Sequence, residues 1–171
     1  MPEKQRVLAA LLSVALFTLS LGAANAAHPD QKKESVRFIV RFADVLTPED
    51  ARSMSLRAAA LVNKKGRRAV SEFSRNDSSF LLKDGYVFCM SMDGVMISHP
   101  LRRQLVGQNF YNYSRYGSDI FRKMITIAAS KDGKGWVDYR WPYPGTNELR
   151  SKKSYVVRND EGFFCAVTAF E

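Results

Sequence analysis

Apolar positions recur every three to four residues through the first half of the chain, and every second residue from Gly85 onward. The first spacing is that of helices with one buried face, the second that of strands. "SVRFIVRFADVL" sets Val36, Ile39, Val40 and Ala43 at helical spacing. "TPEDARSMSLRAAALVNKKG" follows with a full set of helix boundaries. Thr47 suits an N-cap, Pro48 the first helical position, and Asp50 the acidic position of a capping box. Met54, Ala58, Leu61 and Val62 mark one face, and Gly66 ends the helix. "RRAVSEFS" predicts one more short helix.

The period-two region begins with "GYVFCMSMDGVMISHP", two strands joined by Asp93-Gly94, a tight-turn pair. Tyr86, Phe88, Met90 and Met92 share one face of its first strand. "LRRQLVGQNFYNYSRYG" has no period and reads as an irregular connection. Ser118 is placed to cap a helix over "SDIFRKMITIAAS", with Phe121, Met124, Ile125 and Ala128 inward. A meander closes the chain: "GWVDYRW", "KKSYVVR", the turn "NDEG", then "FFCAVTAF". The predicted class is α+β: N-terminal helices followed by a five-stranded antiparallel sheet with helices packed on it.

The chain of 171 residues is short enough for one domain, and its first part is not expected to belong to it. Lys4 and Arg6 precede the apolar run "VLAALLSVALFTLSLGA", and Ala24-Asn25-Ala26 offers small residues where a signal peptidase reads. Residues 1–26 are therefore expected to be a signal peptide, and 27–171 a single exported domain, periplasmic or secreted. The alternative is a retained membrane anchor, since the run approaches the roughly 20 residues that span a bilayer. The net charge of +9 suits small anions, anionic lipid or nucleic acid. Export argues against nucleic acid, and the basic runs "KKGRR" and "RSKK" are short enough to be solvated surface. Cys89 and Cys165 lie in strand-like runs, and either bridge those strands if they are neighbours or remain two buried thiols. With no C-x-x-C pair and only His28 and His99, neither a metal site nor a cofactor is expected.

One hairpin concentrates the candidate chemistry. Val137, Tyr139 and Trp141 point one way, and Trp136, Asp138 and Arg140 the other. Lys153, Tyr155 and Val157 share a face of the next strand. If the two apolar faces look at one core, Lys153 points into Tyr139, Trp141 and Tyr155. A buried lysine needs a partner, and no carboxylate lies on that face of either strand, so a ligand anion would supply it. Two alternatives remain: Lys153 reaches past the rings to water, or the register is shifted by one. His99 ends the first hairpin, as a ligand contact or a structural histidine. Arg122 borders the buried stripe of its helix, either turned under the sheet to bind a carboxylate bidentately or snorkelling to solvent. Asp93, Asp138 and His99 are the only acid or base candidates, and no nucleophile motif accompanies them, so the chain is not expected to be an enzyme.

"GYVFCMSMDGVMISHP", "LVGQNFY", "FRKMI", "GWVDYRWPYPGT" and "KKSYV" together resemble the single Cache domain, type 2, over about residues 47–170. The combination is specific, although no single piece is. The resemblance implies a PAS-like sheet, an extracytoplasmic sensor, and a pocket between the sheet and the loop-helix segment after the first hairpin. By position it implies Tyr86, Phe88, His99, Arg122, Tyr139, Trp141, Lys153 and Tyr155 as ligand-binding residues. It implies a small organic anion of the acetate, propionate, pyruvate or lactate type, and signalling through a membrane receptor or kinase. Here that domain would be a stand-alone exported protein; the alternative is a ligand-independent module docking on a receptor or transporter. A PAS-like strand order also makes the first and last strands neighbours, which brings Cys89 and Cys165 into one region. The last strand departs from the family, with Ala166 and Thr168 or Ala169 where glycines are usual, so that side chains narrow the adjacent pocket.

Overall fold

The structure, a computed structural model, describes residues 45–171 apart from Asn76, Ser118 and Asn147. The expected signal peptide and the helix over "SVRFIVRFADVL" lie outside the described residues.

Helix α1 runs Pro48–Lys65. Its start is fixed locally: Thr47 Oγ1 accepts from the Asp50 N–H at 3.1 Å, and the Asp50 carboxylate accepts from the Thr47 N–H at 3.3 Å. This reciprocal pair satisfies two otherwise free donors. Gly66 closes the helix at φ +69°, a conformation only glycine adopts without strain. Met54, Ala58 and Val62 are fully buried, as the spacing predicts. A 3-10 helix, Gly66–Ser74, continues the chain and buries Ala69 and Phe73.

The strands are β1 (Leu81–Leu82), β2 (Gly85–Ser91), β3 (Met96–Ser98), β4 (Lys134–Pro142), β5 (Leu149–Arg158) and β6 (Phe163–Phe170). They form one antiparallel sheet in the order β1-β2-β6-β5-β4, with β3 also on β2. The expected five strands are present, and the two-residue β1 makes a sixth; its brevity leaves no period to read. Helix α2, Ile120–Ala129, begins after Asp119, which makes no side-chain cap bond, while the expected cap Ser118 lies outside the described residues. Among the described residues, no helix is long and apolar enough to cross a membrane.

Both sheet faces are covered. α1 packs on the face carrying Val87, Cys89, Cys165 and Val167. α2 and the connection after β3 cover the face carrying Phe88, Met90, Phe164 and Ala166. Because β2 and β6 are central neighbours, Cys89 lies directly opposite Cys165, with Cα atoms 4.0 Å apart, and the two are bonded as a disulfide beneath α1. Ser55, fully buried, ties α1 to the sheet: its hydroxyl donates to the Tyr155 carbonyl at 2.8 Å and accepts from the Val167 N–H at 3.0 Å. Ser55→Ala removes both bonds without changing the helix. It is expected to lower unfolding free energy by about 1–3 kcal/mol in a urea titration.

Candidate functional site

A cavity of about 280 Å³ opens between the sheet and the segment from His99 to Met124. Tyr86 and Phe88 of β2, Tyr139 and Trp141 of β4, Lys152 of β5 and Thr168 of β6 form its sheet side. Ile120, Phe121 and Met124 of α2 line the opposite side with Arg102, Leu105, Phe110, Tyr113 and Arg115 of the connection. The turn at Asp93-Gly94 fixes that connection. The Phe110 N–H donates to the Gly94 carbonyl at 2.8 Å, and Asn109 Nδ2 donates to the Asp93 carbonyl at 3.0 Å. Gly94 sits at φ +85°, and a Cβ there would come within 2.8 Å of the Tyr111 nitrogen. A side chain at position 94 would push away the backbone that carries Phe110 and Tyr113 into the wall.

The register of β4 against β5 decides which cation enters. Tyr139 pairs with Lys152, and Asp138 with Lys153. Directly opposed residues share a face, so Lys152 stands beside Tyr139 in the cavity, and Lys153 lies on the other side of the sheet. There Lys153 Nζ is 2.6 Å from Glu171 and 3.6 Å from Asp138, and 5.6 Å from the centre of the Trp136 ring. Tyr155 goes with it: its ring packs edge-on against Trp136 at 4.9 Å and clusters with Ala59 under α1. Lys153 and Tyr155 are therefore corrected out of the cavity. The expectation joined the more apolar face of each strand, whereas β5 is covered on both faces. Arg122 is a third correction. It is exposed, pairs with Asp119 one turn earlier, and does not line the cavity.

Five predicted residues do come together: Tyr86, Phe88, His99, Tyr139 and Trp141. Lys152, Arg102, Arg115, Tyr113 and Thr168 join them without having been predicted as site residues. Thr168, one of the two alternative positions where the resemblance implies a glycine, puts a side chain on the wall. Lys152 is 8% exposed, and its ammonium lies 4.2 Å from the centre of the Phe170 ring. Burial pushes its pKa down to about 8, with Asp84 acting weakly the other way. That aspartate accepts the Leu46 N–H at 2.6 Å. Among the described residues, no carboxylate lies within ion-pair distance of Lys152.

The neutral groups around the lysine are arranged as donors and packing surfaces. Burial, aided by Arg102, holds the His99 pKa near 4, so the ring is neutral at physiological pH. Its Nδ1 accepts from the Arg102 N–H at 3.2 Å, which leaves the proton on Nε2 as a donor. The ring lies against Tyr86 at 4.9 Å. Burial raises the pKa values of Tyr86 and Tyr139, so both stay phenols. Tyr139 is positioned by a 2.8 Å hydrogen bond between its hydroxyl and Ser154 Oγ. Tyr113, Tyr116 and Tyr139 each contact Trp141 through their rings. The cavity thus combines an apolar, aromatic lining with neutral hydroxyl and imidazole groups and a buried ammonium. It is suited to hold a small anion with an apolar body, and among the described residues its lining carries no carboxylate and no cysteine.

Comparison with known proteins finds relatives of the chain and of its fold. A family model described as "Cache domain" matches residues 59–161. A sensor histidine kinase, MctS of Rhizobium johnstonii, is 36% identical over 81 residues, covering 46% of this chain and 17% of the kinase. A methyl-accepting chemotaxis protein, McpP of Pseudomonas putida, is 34% identical over 74 residues, covering 43% of this chain and 13% of that protein. The matched segments are thus a small part of those relatives' length. Two solved structures share the fold with a TM-score of 0.52 each. One is the "Periplasmic sensor domain of chemotaxis protein", 22% identical, with 85% of this chain and 99% of that chain covered. The other bears the description "Structural basis for carboxylic acid recognition by a Cache chemosensory domain", at 23% identity, with 84% and 97% covered.

Proposed function

This chain belongs to the Cache domain family, and we propose that its cavity takes a small organic carboxylate whose negative charge is met by Lys152. The family consists of extracytoplasmic sensor domains, and the relatives include domains of histidine kinases and chemoreceptors. The observation that carries the proposal is the state of Lys152: an ammonium almost wholly out of water, on an otherwise aromatic wall, with no carboxylate in reach among the described residues. A charge in that position is costly until an anion arrives. The likeness to a Cache domain described for carboxylic acid recognition supports the same chemistry. Acetate, propionate, pyruvate and lactate are the first candidates. The signal would pass to a membrane receptor or kinase, from a domain exported by cleavage after Ala26.

A thermal-shift screen of these acids at pH 7 tests the reading. A ligand that binds only the native state stabilises by about 2.7 kcal/mol at a hundredfold excess over Kd. For a domain of this size that corresponds to roughly 5–10 °C in Tm. An unchanged Tm with every acid up to millimolar concentration would sink the carboxylate reading and favour a domain that docks without a ligand of its own.

A further inference from the structure

We propose that Lys152 also captures small aldehydes, its amine condensing with the carbonyl carbon to form a reversible imine inside the cavity. The proposal rests on the place of Lys152 in the cavity wall and requires no charge on the ligand. Lys152 is buried, whereas every other described lysine is exposed or half-buried. It nevertheless lines an open cavity, whose volume of about 280 Å³ lies just below the range of drug-sized sites, roughly 300–1,000 Å³, and so suits a ligand of a few carbons. No carboxylate among the described residues lies within ion-pair distance of its ammonium group. Lys153, one residue on, shows the contrast: on the far face of the sheet, Glu171 holds it at 2.6 Å. A lysine withdrawn from water and left without a counter-ion gives up its proton readily, and the neutral amine that results is a nucleophile.

The groups around Lys152 suit the proton movements of such a condensation. Tyr139 stands directly opposite Lys152 on β4, and Thr168 is its diagonal neighbour on β6, so each adjacent strand contributes a hydroxyl to the same wall. Tyr86 and the neutral His99 ring complete the set. In the first step the N–C bond forms, the carbonyl π pair moves to oxygen, and one proton passes from nitrogen to oxygen. In the second the C–O bond breaks, the nitrogen lone pair forms C=N, and the hydroxyl leaves with the remaining N–H proton as water. One amine and one aldehyde give one imine and one water, with no oxidant or reductant. Both steps carry a proton between nitrogen and oxygen, work for neutral groups that donate and accept, as these hydroxyls and the imidazole do. Phe88, Phe110 and Met124 in the lining would pack the aldehyde's carbon chain.

Reductive trapping on the native chain tests this directly. Propionaldehyde is added at pH 7 with cyanoborohydride, which reduces an imine to a stable secondary amine and spares the free aldehyde, and peptide mass mapping follows each lysine in time. Lys152 is expected to gain a propyl group at least about tenfold faster than the exposed Lys134 and the paired Lys153, since an ordinary lysine, with a pKa of about 10.4, is almost wholly protonated there. In urea, where the cavity is lost, that advantage is expected to disappear. Labelling of Lys152 no faster than of Lys134, or an advantage that survives unfolding, would overturn the proposal. Either of those results would leave the carboxylate reading standing, because that reading needs only the ammonium form and is tested by the acids themselves.

Discussion

Replacing Lys152 by methionine is expected to weaken carboxylate binding by about 30-fold or more. Removing one partner of a desolvated charge pair costs roughly 2–5 kcal/mol of binding, and each 1.4 kcal/mol is tenfold. The same substitution is expected to leave the unliganded domain as stable as wild type or more so. Burial holds the Lys152 pKa near 8, below the value of about 10.5 that an exposed lysine has. The unfolded chain therefore binds more protons than the folded one between those values. Wild-type stability should rise with pH from about 8 toward 10, by up to about 3 kcal/mol if this group acts alone. Tyr86 and Tyr139, whose pKa values are raised, act in the opposite direction above about 10, so the window closes there. Lys152→Met removes the rise. Lys153→Met is the matched control one residue away. It loses contacts to Glu171 and Asp138 on the far face, and should change carboxylate affinity less than about twofold.

Loss of the Cys89–Cys165 bridge is expected to lower unfolding free energy by about 2–4 kcal/mol. The bond joins residues 76 apart in sequence, so it removes substantial freedom from the unfolded chain. It also lies between the two central strands at full burial, where Ala166 and Val167 continue the same ladder. Cys89→Ala with Cys165→Ala should therefore unfold roughly 5–15 °C lower than wild type. Thiol counting on denatured, unreduced protein is expected to find no reactive cysteine at either position. Two reactive thiols would show that the strands pair without the bond.

What could be read from the sequence follows from how local each signal was. The α1 boundaries rest on Thr47, Pro48, Asp50 and Gly66, all within one helix, and they stand as predicted. The first hairpin rests on Asp93-Gly94, and it forms with its cavity-facing residues Tyr86 and Phe88 in place. The register of β5 needed non-local information. That strand lies between β4 and β6 with a helix over each face, so Tyr155 and Val157 on one side are as buried as Ser154 and Val156 on the other. Hydrophobic alternation then cannot say which lysine enters the cavity. A signal was nonetheless available. Asp138 faces away from Tyr139, and opposite charges favour direct cross-strand pairing, so setting Asp138 against Lys153 puts Lys152 beside Tyr139. Arg102 and Arg115 lie in an aperiodic connection, where no repeat indicates which way a side chain points. Arg122 lies off the cavity because a residue bordering a helix stripe can face either way, and Asp119 one turn earlier holds it outward.

The central claim is that Lys152 is the cation that meets the ligand's charge. Proton uptake on binding reports it most directly. At pH 8.5 much of Lys152 should be neutral in the unliganded domain, given a pKa near 8. An anion at that site restores the proton. Titrating the tightest-binding carboxylate in two buffers of different ionisation enthalpy should show uptake of at least about half a proton per site at pH 8.5, and almost none at pH 6.5. Lys152→Met should abolish the difference. Binding of the same affinity at both pH values with no proton taken up at either would contradict the assignment of Lys152.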